Sequence, residues 1–153
     1  MVRTFAAAPL APADVPQAFP LARALMPQLD LTAWLEFARR RAGKPAARGI
    51  VAVRDDRGYF HGLFSYEVRH ALGEGATLEV DVAIAMELLD RSGPAAVLLD
   101  EIDVLAARLG CAAVQVRLRP DQRRLRRWFE ALGYAIQDVA MVRARDGAPP
   151  LTP

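Results

Sequence analysis

Residues 77–86 read TLEVDVAIAM. Apolar and other side chains alternate strictly, with Leu78, Val80, Val82, Ile84 and Met86 on one face and Glu79, Asp81, Ala83 and Ala85 on the other. That period of two predicts a strand. Just beyond it, Asp90-Arg91-Ser92-Gly93 turns the chain into Pro94. Apolar residues at helical spacing then run to Leu109, and Gly110 stops the helix. The alternating stretch Ala112–Leu118 is the next strand. Pro120-Asp121 ends it and caps a helix whose stripe is Leu125, Trp128, Phe129 and Leu132, stopped by Gly133.

Upstream, Ile50–Val53 is a β run and Asp55-Asp56-Arg57-Gly58 a hairpin turn. Tyr59–Leu72 is a long strand, turned by Gly73-Glu74-Gly75 into residues 77–86. Three antiparallel strands are expected in the middle of the chain. Before them the pattern predicts a strand over Val2–Leu10 and a turn with helix cap at Pro12-Ala13-Asp14. A first helix follows through Val15, Phe19, Leu21 and Leu25 to about Met26. A second helix over Leu31–Arg41 is capped by Asp30 or Thr32 and carries Leu31, Trp34, Leu35 and Ala38 at helical spacing. Arg39–Arg41 and Lys44 suit its C-terminus, and Gly43-Lys44-Pro45 breaks it. Two last strands are expected over Ala135–Asp138 and Val139–Arg145. This gives one domain over 1–146 and a frayed, proline-rich tail over 147–153.

The 153 residues, 53% hydrophobic and 25% charged, are globular in composition and enough for one sizeable core. No apolar run is long enough to cross a bilayer, and Pro9, Pro12, Asp14 and Pro16 interrupt the N-terminal stretch where a signal peptide would be apolar. The expectation is a cytoplasmic protein with no membrane partner. The lone Cys111, read as a small buried hydrophobe, forms no disulfide, and with only His61 and His70 beside it there is no metal-ligand spacing. The net charge of +2 conceals segregation: eight acidic residues lie between Glu74 and Asp103 against Arg91, and six arginines between Arg117 and Arg127 against Asp121. The arginine run favours an anion nearby. Lacking interleaved aromatics and a strong net charge, it disfavours nucleic acid.

The order strand, basic glycine-containing turn, helix, strand and a helix ending in Trp128-Phe129-Glu130-Ala131-Leu132-Gly133-Tyr134 resembles the GNAT N-acetyltransferase superfamily, whose common motif is F-Y-E-K-L-G-F. Ala11-Pro12-Ala13-Asp14-Val15 also resembles that family's opening. The resemblance implies an α+β GNAT-like acyl-CoA N-acyltransferase fold: a central mixed, mostly antiparallel sheet flanked by about four helices. It implies acetyl-CoA as cosubstrate, lying in a splay between the 77–86 and 112–118 strands, and an amine as acceptor.

Its pyrophosphate would rest on the start of the intervening helix, where unpaired N–H groups favour an anion. Arg91, Ser92, Gly93, Ala95 and Ala96 would form this cradle. Pro94, which has no N–H, stands where the family has glycine. Gln122 corresponds most nearly to an asparagine of the family, and Arg124 to a phosphate contact. The thioester carbonyl would accept from a backbone N–H near Ala85 or Met86.

Acetyl transfer to an amine also needs a group to take the amine's proton. The resemblance points to a carboxylate of the fourth strand. Glu79 and Asp81 share a face two residues apart, where mutual repulsion favours holding a proton on one of them. With Glu87 they suit a cationic amine. The tyrosine that many members use as acid is Phe129 here. Tyr134, Tyr66 and Ser65 are substitutes of the right chemistry, and His61 and His70 could position an acceptor. The competing readings are a CoA- or partner-binding module without turnover and a small nucleic-acid-binding protein. A homodimer is also compatible with the resemblance.

Overall fold

A computed structural model describes residues 4–41, 47–73, 75–86 and 93–147. Five strands form one sheet in sequence order: β1 (Phe5–Pro9), β2 (Arg48–Asp55), β3 (Phe60–His70), β4 (Ala76–Ala85) and β5 (Ala113–Val116). The first four are antiparallel neighbours and β5 runs parallel to β4, so the sheet is mixed and mostly antiparallel. Four helices accompany it: α1 (Phe19–Leu25), α2 (Leu31–Arg41), α3 (Pro94–Arg108) and α4 (Arg123–Ala131).

The first helix is shorter than its pattern predicts. Residues Pro12–Asp14 and Pro16–Ala18 are separate 3-10 turns, because Pro16 and Pro20 each lack the N–H that a continuous α-helix would use. Helix α2 has the expected bounds, and its cap is Asp30, whose Oδ1 accepts the Ala33 N–H at 2.7 Å. The buried Trp34 donates its indole N–H to the Val15 carbonyl at 2.7 Å, tying α2 to the turn before α1. The Gly43-Lys44-Pro45 break and the Gly73-Glu74-Gly75 turn lie partly or wholly outside the described residues, as do Val2 and Arg3 of the expected first strand.

Each face of the sheet is covered. One core joins Val51, Val53, Phe64, Leu78 and Val80 to Leu98, Ile102 and Leu105 of α3 and to Leu125 and Phe129 of α4. The other joins Ile50, Ala52, Leu63 and Ile84 to Leu21 of α1 and Trp34 of α2. Gly62 lets α3 come close: a Cβ there would meet the Ile84 carbonyl oxygen at 3.0 Å and Leu98 Cδ1 at 3.4 Å. At the far end Gly110, with φ +70°, stops α3 in the left-handed conformation that L side chains avoid.

Two expectations fail at the C-terminal end. Residues 135–145 form no strand, and Leu132 is 55% exposed because α4 ends at Ala131 and buries only Leu125 and Phe129. The cap of α4 is Gln122, not Asp121.

Candidate functional site

The site is built by an irregularity in β4 that its alternation does not announce. Against β3, Tyr66 pairs with Val80 and Ser65 with Val82, which leaves Asp81 as an inserted residue, a β-bulge. The insertion swaps the faces. Leu78 and Val80 pack toward α3, but beyond the bulge Val82 and Ile84 pack toward α1 and α2, and Ala83 and Ala85 take the α3 side. The predicted single apolar face from Leu78 to Met86 is therefore two half-faces.

The bulge also swaps the edges. The Arg117 N–H donates to the Val80 carbonyl at 2.8 Å, so Val80 points its polar groups toward β5. Three residues later Ala83 points the same way, since its carbonyl accepts from Gln122 Nε2 at 2.6 Å. Regular alternation would have put these two on opposite edges. The β4–β5 ladder covers only Thr77–Val80 against Ala113–Val116. Past that point β4 continues alone, with the backbone groups of Ala83 and Ala85 directed into the gap that β5 leaves. The Met86 N–H donates to the His61 carbonyl at 2.8 Å, so it is spent in the sheet and the expected role of Met86 as a backbone donor fails. The Ala85 N–H, one residue earlier, faces the gap.

A cavity of about 430 Å³ opens at this gap. Its walls include Ile84, Ala85 and Met86 of β4, Ala24 and Leu25 at the end of α1, and Asp121–Leu125 at the start of α4. Four expected cofactor residues, Ala85, Met86, Gln122 and Arg124, thus meet in one place. Gln122 is also a strut. Its Oε1 accepts the Arg119 N–H at 2.9 Å while its Nε2 holds Ala83, so the chain leaving β5 is tied back across the gap. Arg123 and Arg124 occupy the first turn of α4, which has no acidic side chain. That placement opposes the helix dipole and favours an anion beside it.

Of the expected cradle, Arg91 and Ser92 lie outside the described residues, as does Glu87. Gly93 is the cap of α3, and its carbonyl accepts the Val97 N–H at 3.3 Å. Pro94 is the first helical residue and is fully buried. It fills a position whose N–H has no helical acceptor in any case, and the N–H groups of Ala95 and Ala96 are left as first-turn donors.

On the α2 side of β4, Glu79 and Asp81 do share a face, as expected, but the two carboxylates do not form a pair. Arg41, the last residue of α2, donates from Nη2 to Asp81 Oδ2 at 2.7 Å and from Nη1 to Glu67 Oε2 at 3.3 Å. Arg69 Nε holds Glu79 Oε2 at 2.9 Å and its Nη2 reaches Glu67 at 3.5 Å. Carboxylates and guanidiniums alternate along the chain Asp81, Arg41, Glu67, Arg69, Glu79, so each repulsion is offset by a cation. Arg41 also lies over the Phe37 ring at 5.4 Å. Two buried oxygens in this region, Asp81 Oδ1 and Ser65 Oγ, have no hydrogen-bond partner among the described residues. Ser65 faces the bulge from β3.

The other candidates stand elsewhere. Asp55 accepts the Arg57 and Tyr59 N–H groups on Oδ1 and pairs Oδ2 with His61 Nε2 at 2.8 Å. Burial opposes its charge, but the bonds from His61, Tyr59 and Arg57 outweigh that and hold the carboxyl below its usual range. His61 thus serves the β2–β3 turn, and His70 is an exposed strand end. Burial, with a contribution from Asp103, pushes the Tyr134 phenol up to about 12, and its ring meets Phe129 edge-on at 4.9 Å. Burial likewise raises Tyr66, which packs over Gly49. Neither tyrosine lines the cavity. Cys111 is half-buried with its thiol pushed up by burial, which is inert chemistry. Among the described residues no cluster of ligating side chains could hold a metal, and no helix is long and apolar enough to cross a membrane.

Sequence reasoning missed Arg41, Ala83 and the α1 wall at Ala24 and Leu25. Nothing in the local pattern links the end of α2 to β4.

No protein-family model and no curated protein sequence matches the chain. Solved structures do. An aminoglycoside N-acetyltransferase AAC(6')-Iy in complex with CoA superposes with a TM-score of 0.75 at 13% identity, over 94% of this chain and 95% of its own. An aminoglycoside 6'-N-acetyltransferase from Acinetobacter baumannii gives 0.74 at 15%, over 92% and 97%. A ribosomal-protein-alanine N-acetyltransferase from Brucella melitensis gives 0.75 at 16%, over 93% and 99%. The chain therefore has the GNAT N-acetyltransferase fold.

Proposed function

We propose that the protein transfers the acetyl group of acetyl-CoA to a primary amine. The reading rests on one observation: β4 and β5 part after Val80, and the bulge at Asp81 turns the backbone of Ala83 and Ala85 into the resulting gap. A cavity of about 430 Å³ there is of a size that takes an extended, ligand-like arm. The first-turn N–H groups of α3 and the Arg123 and Arg124 guanidiniums are chemically suited to phosphates. The residues present thus fit acetyl-CoA, which would supply the activated acyl group.

In this reading the Ala85 backbone aligns the arm, and the Ala83 N–H polarises the thioester carbonyl. Asp81, two residues from Ala83 and so roughly 7 Å along the strand, takes the proton that the attacking amine must lose. Arg41 holds that carboxylate in one orientation. As the C–N bond forms and the C–S bond breaks, the leaving thiolate is protonated by water.

The experiment is the thermal shift with acetyl-CoA, free CoA and ATP, followed by release of CoA thiol with a panel of amines. Ligand at about 100 times its dissociation constant adds roughly 2.7 kcal/mol, a rise of several degrees for a domain of this size. A shift with both CoA ligands, none with ATP, and thiol release with an amine is the expected result. A shift without turnover would favour a CoA-binding module instead. That second reading has its own support: Phe129 is buried in the core without a proton to give, and Asp81 is already engaged by Arg41. No shift with either CoA ligand would refute both.

A further inference from the structure

We propose that Ser65 is the second anchor of Asp81, its hydroxyl holding Oδ1 of the carboxylate as Arg41 holds Oδ2. The inference rests on the reading of Asp81 as the acceptor of the amine's proton. Ser65 is 0% exposed, and the residues opposite it are apolar, Ile50 of β2 and Val82 of β4. A hydroxyl in such surroundings is normally bonded. Yet Ser65 Oγ has no partner among the described residues, and neither has the equally enclosed Asp81 Oδ1.

The bulge brings the two oxygens to one face. Leu63 packs with α1 and α2, whereas Phe64 and Tyr66 pack toward α3, so strand alternation puts the Ser65 side chain on the α2 side. Asp81 is on that side because Arg41 of α2 grips it, and Val82 beside it packs there too. Asp81 and Val82 thus oppose Ser65 together, as the two residues of a bulge oppose one partner. Cβ atoms so opposed lie about 5 Å apart. Both side chains turn about single bonds, and facing each other satisfies both oxygens at once.

The donors nearby point to the same pairing. An ionised carboxylate only accepts, so Oδ1 needs a donor. On this face Arg41 is turned to Asp81 Oδ2 and Glu67, Arg69 to Glu79 and Glu67, and the Trp34 indole N–H is spent on Val15. Ser65 has a proton to give. One anchor leaves the plane of an aspartate carboxylate loose, because its last torsion is broad. Two anchors fix it. The Asp81 side chain keeps 18% exposure although Oδ1 is enclosed, and the second lone pair of Oδ2 is then held toward the incoming amine. As the C–N bond forms, the N–H bond breaks with its electron pair left on nitrogen, and the proton passes to Oδ2. The hydroxide left when water protonates the thiolate takes that proton back.

The test uses the full chain, melted without ligand and assayed by CoA thiol release with acetyl-CoA and an amine. Ser65→Ala should lower the melting temperature by about 3 °C, the loss of one hydrogen bond. An orphaned hydroxyl gives the opposite sign, because alanine then removes an unpaired polar group, and an unchanged or higher melting temperature overturns the proposal. In turnover, Ser65→Ala should lower kcat roughly 10-fold, a part of the 10²–10⁴ that a general base supplies, and leave KM for acetyl-CoA within twofold. Ser65→Thr, which keeps the hydroxyl, should restore most of it. In an Asp81→Asn background Ser65→Ala should lower kcat no further, since the group it positions is gone. If Ser65→Thr is too bulky to fold, that double variant decides. Wild-type kcat in Ser65→Ala, or the same 10-fold loss in the Asp81→Asn background, overturns the role of Ser65 alone. Full turnover in Asp81→Asn, or no thiol release by the wild type, overturns the reading of Asp81 and the role of Ser65 with it.

Discussion

The two halves of β4 differ by one inserted residue and do different work. Ala76–Val80 is paired on both edges, and Leu78 and Val80 are fully buried against α3. Among the described residues, Val82–Ala85 is paired to β3 alone, has its other edge beside a cavity, and is tied there by the Gln122 side chain. The first half is ordinary sheet, and the second half leaves backbone hydrogen-bonding groups directed into the gap beyond β5. What separates them is Asp81, which shifts both face and edge and places a carboxylate at the boundary. A bulge thus turns a paired strand into an open edge without changing the character of its composition.

Substitutions in the two halves should separate stability from function. Leu78→Ala, in the first half, leaves a cavity in a fully buried position and should cost about 3 kcal/mol, read as a melting temperature lower by roughly 10 °C. The affinity for acetyl-CoA should stay within a few-fold, and a large loss of affinity would mean that the halves are not separable. At the boundary, Arg41→Gln leaves Asp81 and Glu67 without their shared cation. It should cost about 2 kcal/mol, between the values for exposed and fully buried pairs, and lower turnover more than cofactor affinity. Equal losses in both would place Arg41 in binding rather than positioning. In the second half, Gln122→Ala should cost only about 1 kcal/mol of stability for its lost hydrogen bonds, yet weaken acetyl-CoA binding. Unchanged binding would show that the strut is not needed to hold the gap open.

The smallest effect lies away from both halves. Because the folded Tyr134 phenol titrates near 12, above its ordinary value of 10.0, the protonated form is the one that folding favours. Its contribution is complete below pH 10 and is lost as the pH rises toward 12. Tyr134→Phe should therefore flatten the fall of melting temperature in that window and leave neutral-pH turnover unchanged. Titrating unfolding by circular dichroism at alkaline pH reads this directly.

Much of the frame was legible in the sequence. Helix α2 has the bounds its periodicity predicts, and α3 and the long hairpin strands are displaced only at their ends. The bulge was not legible for a physical reason. Val82 and Ile84 continue the apolar alternation of Leu78 and Val80, and because the sheet is covered on both sides they are buried on whichever face they reach. The pattern therefore could not register the flip. Proximity in sequence correctly put Glu79 and Asp81 on one face. It could not show that Arg41, far back in the chain, ends its helix on them. Residues 135–145 misled in the opposite way: they have the composition of strands, but a strand needs an edge, and this chain leaves its segment and its β5 edge apart.

The bulge directs the Ala83 N–H into the gap. Ala83→Pro removes that donor while leaving the β3 ladder, to which it does not contribute. The decisive measurement is acetyl transfer and CoA affinity of this variant beside Ala85→Pro. Loss of an oxyanion-type donor predicts a fall in kcat of about 10²–10³ for Ala83→Pro, with CoA still bound, whereas Ala85→Pro should chiefly weaken CoA binding. Wild-type kcat in a folded, CoA-binding Ala83→Pro protein would contradict the assignment.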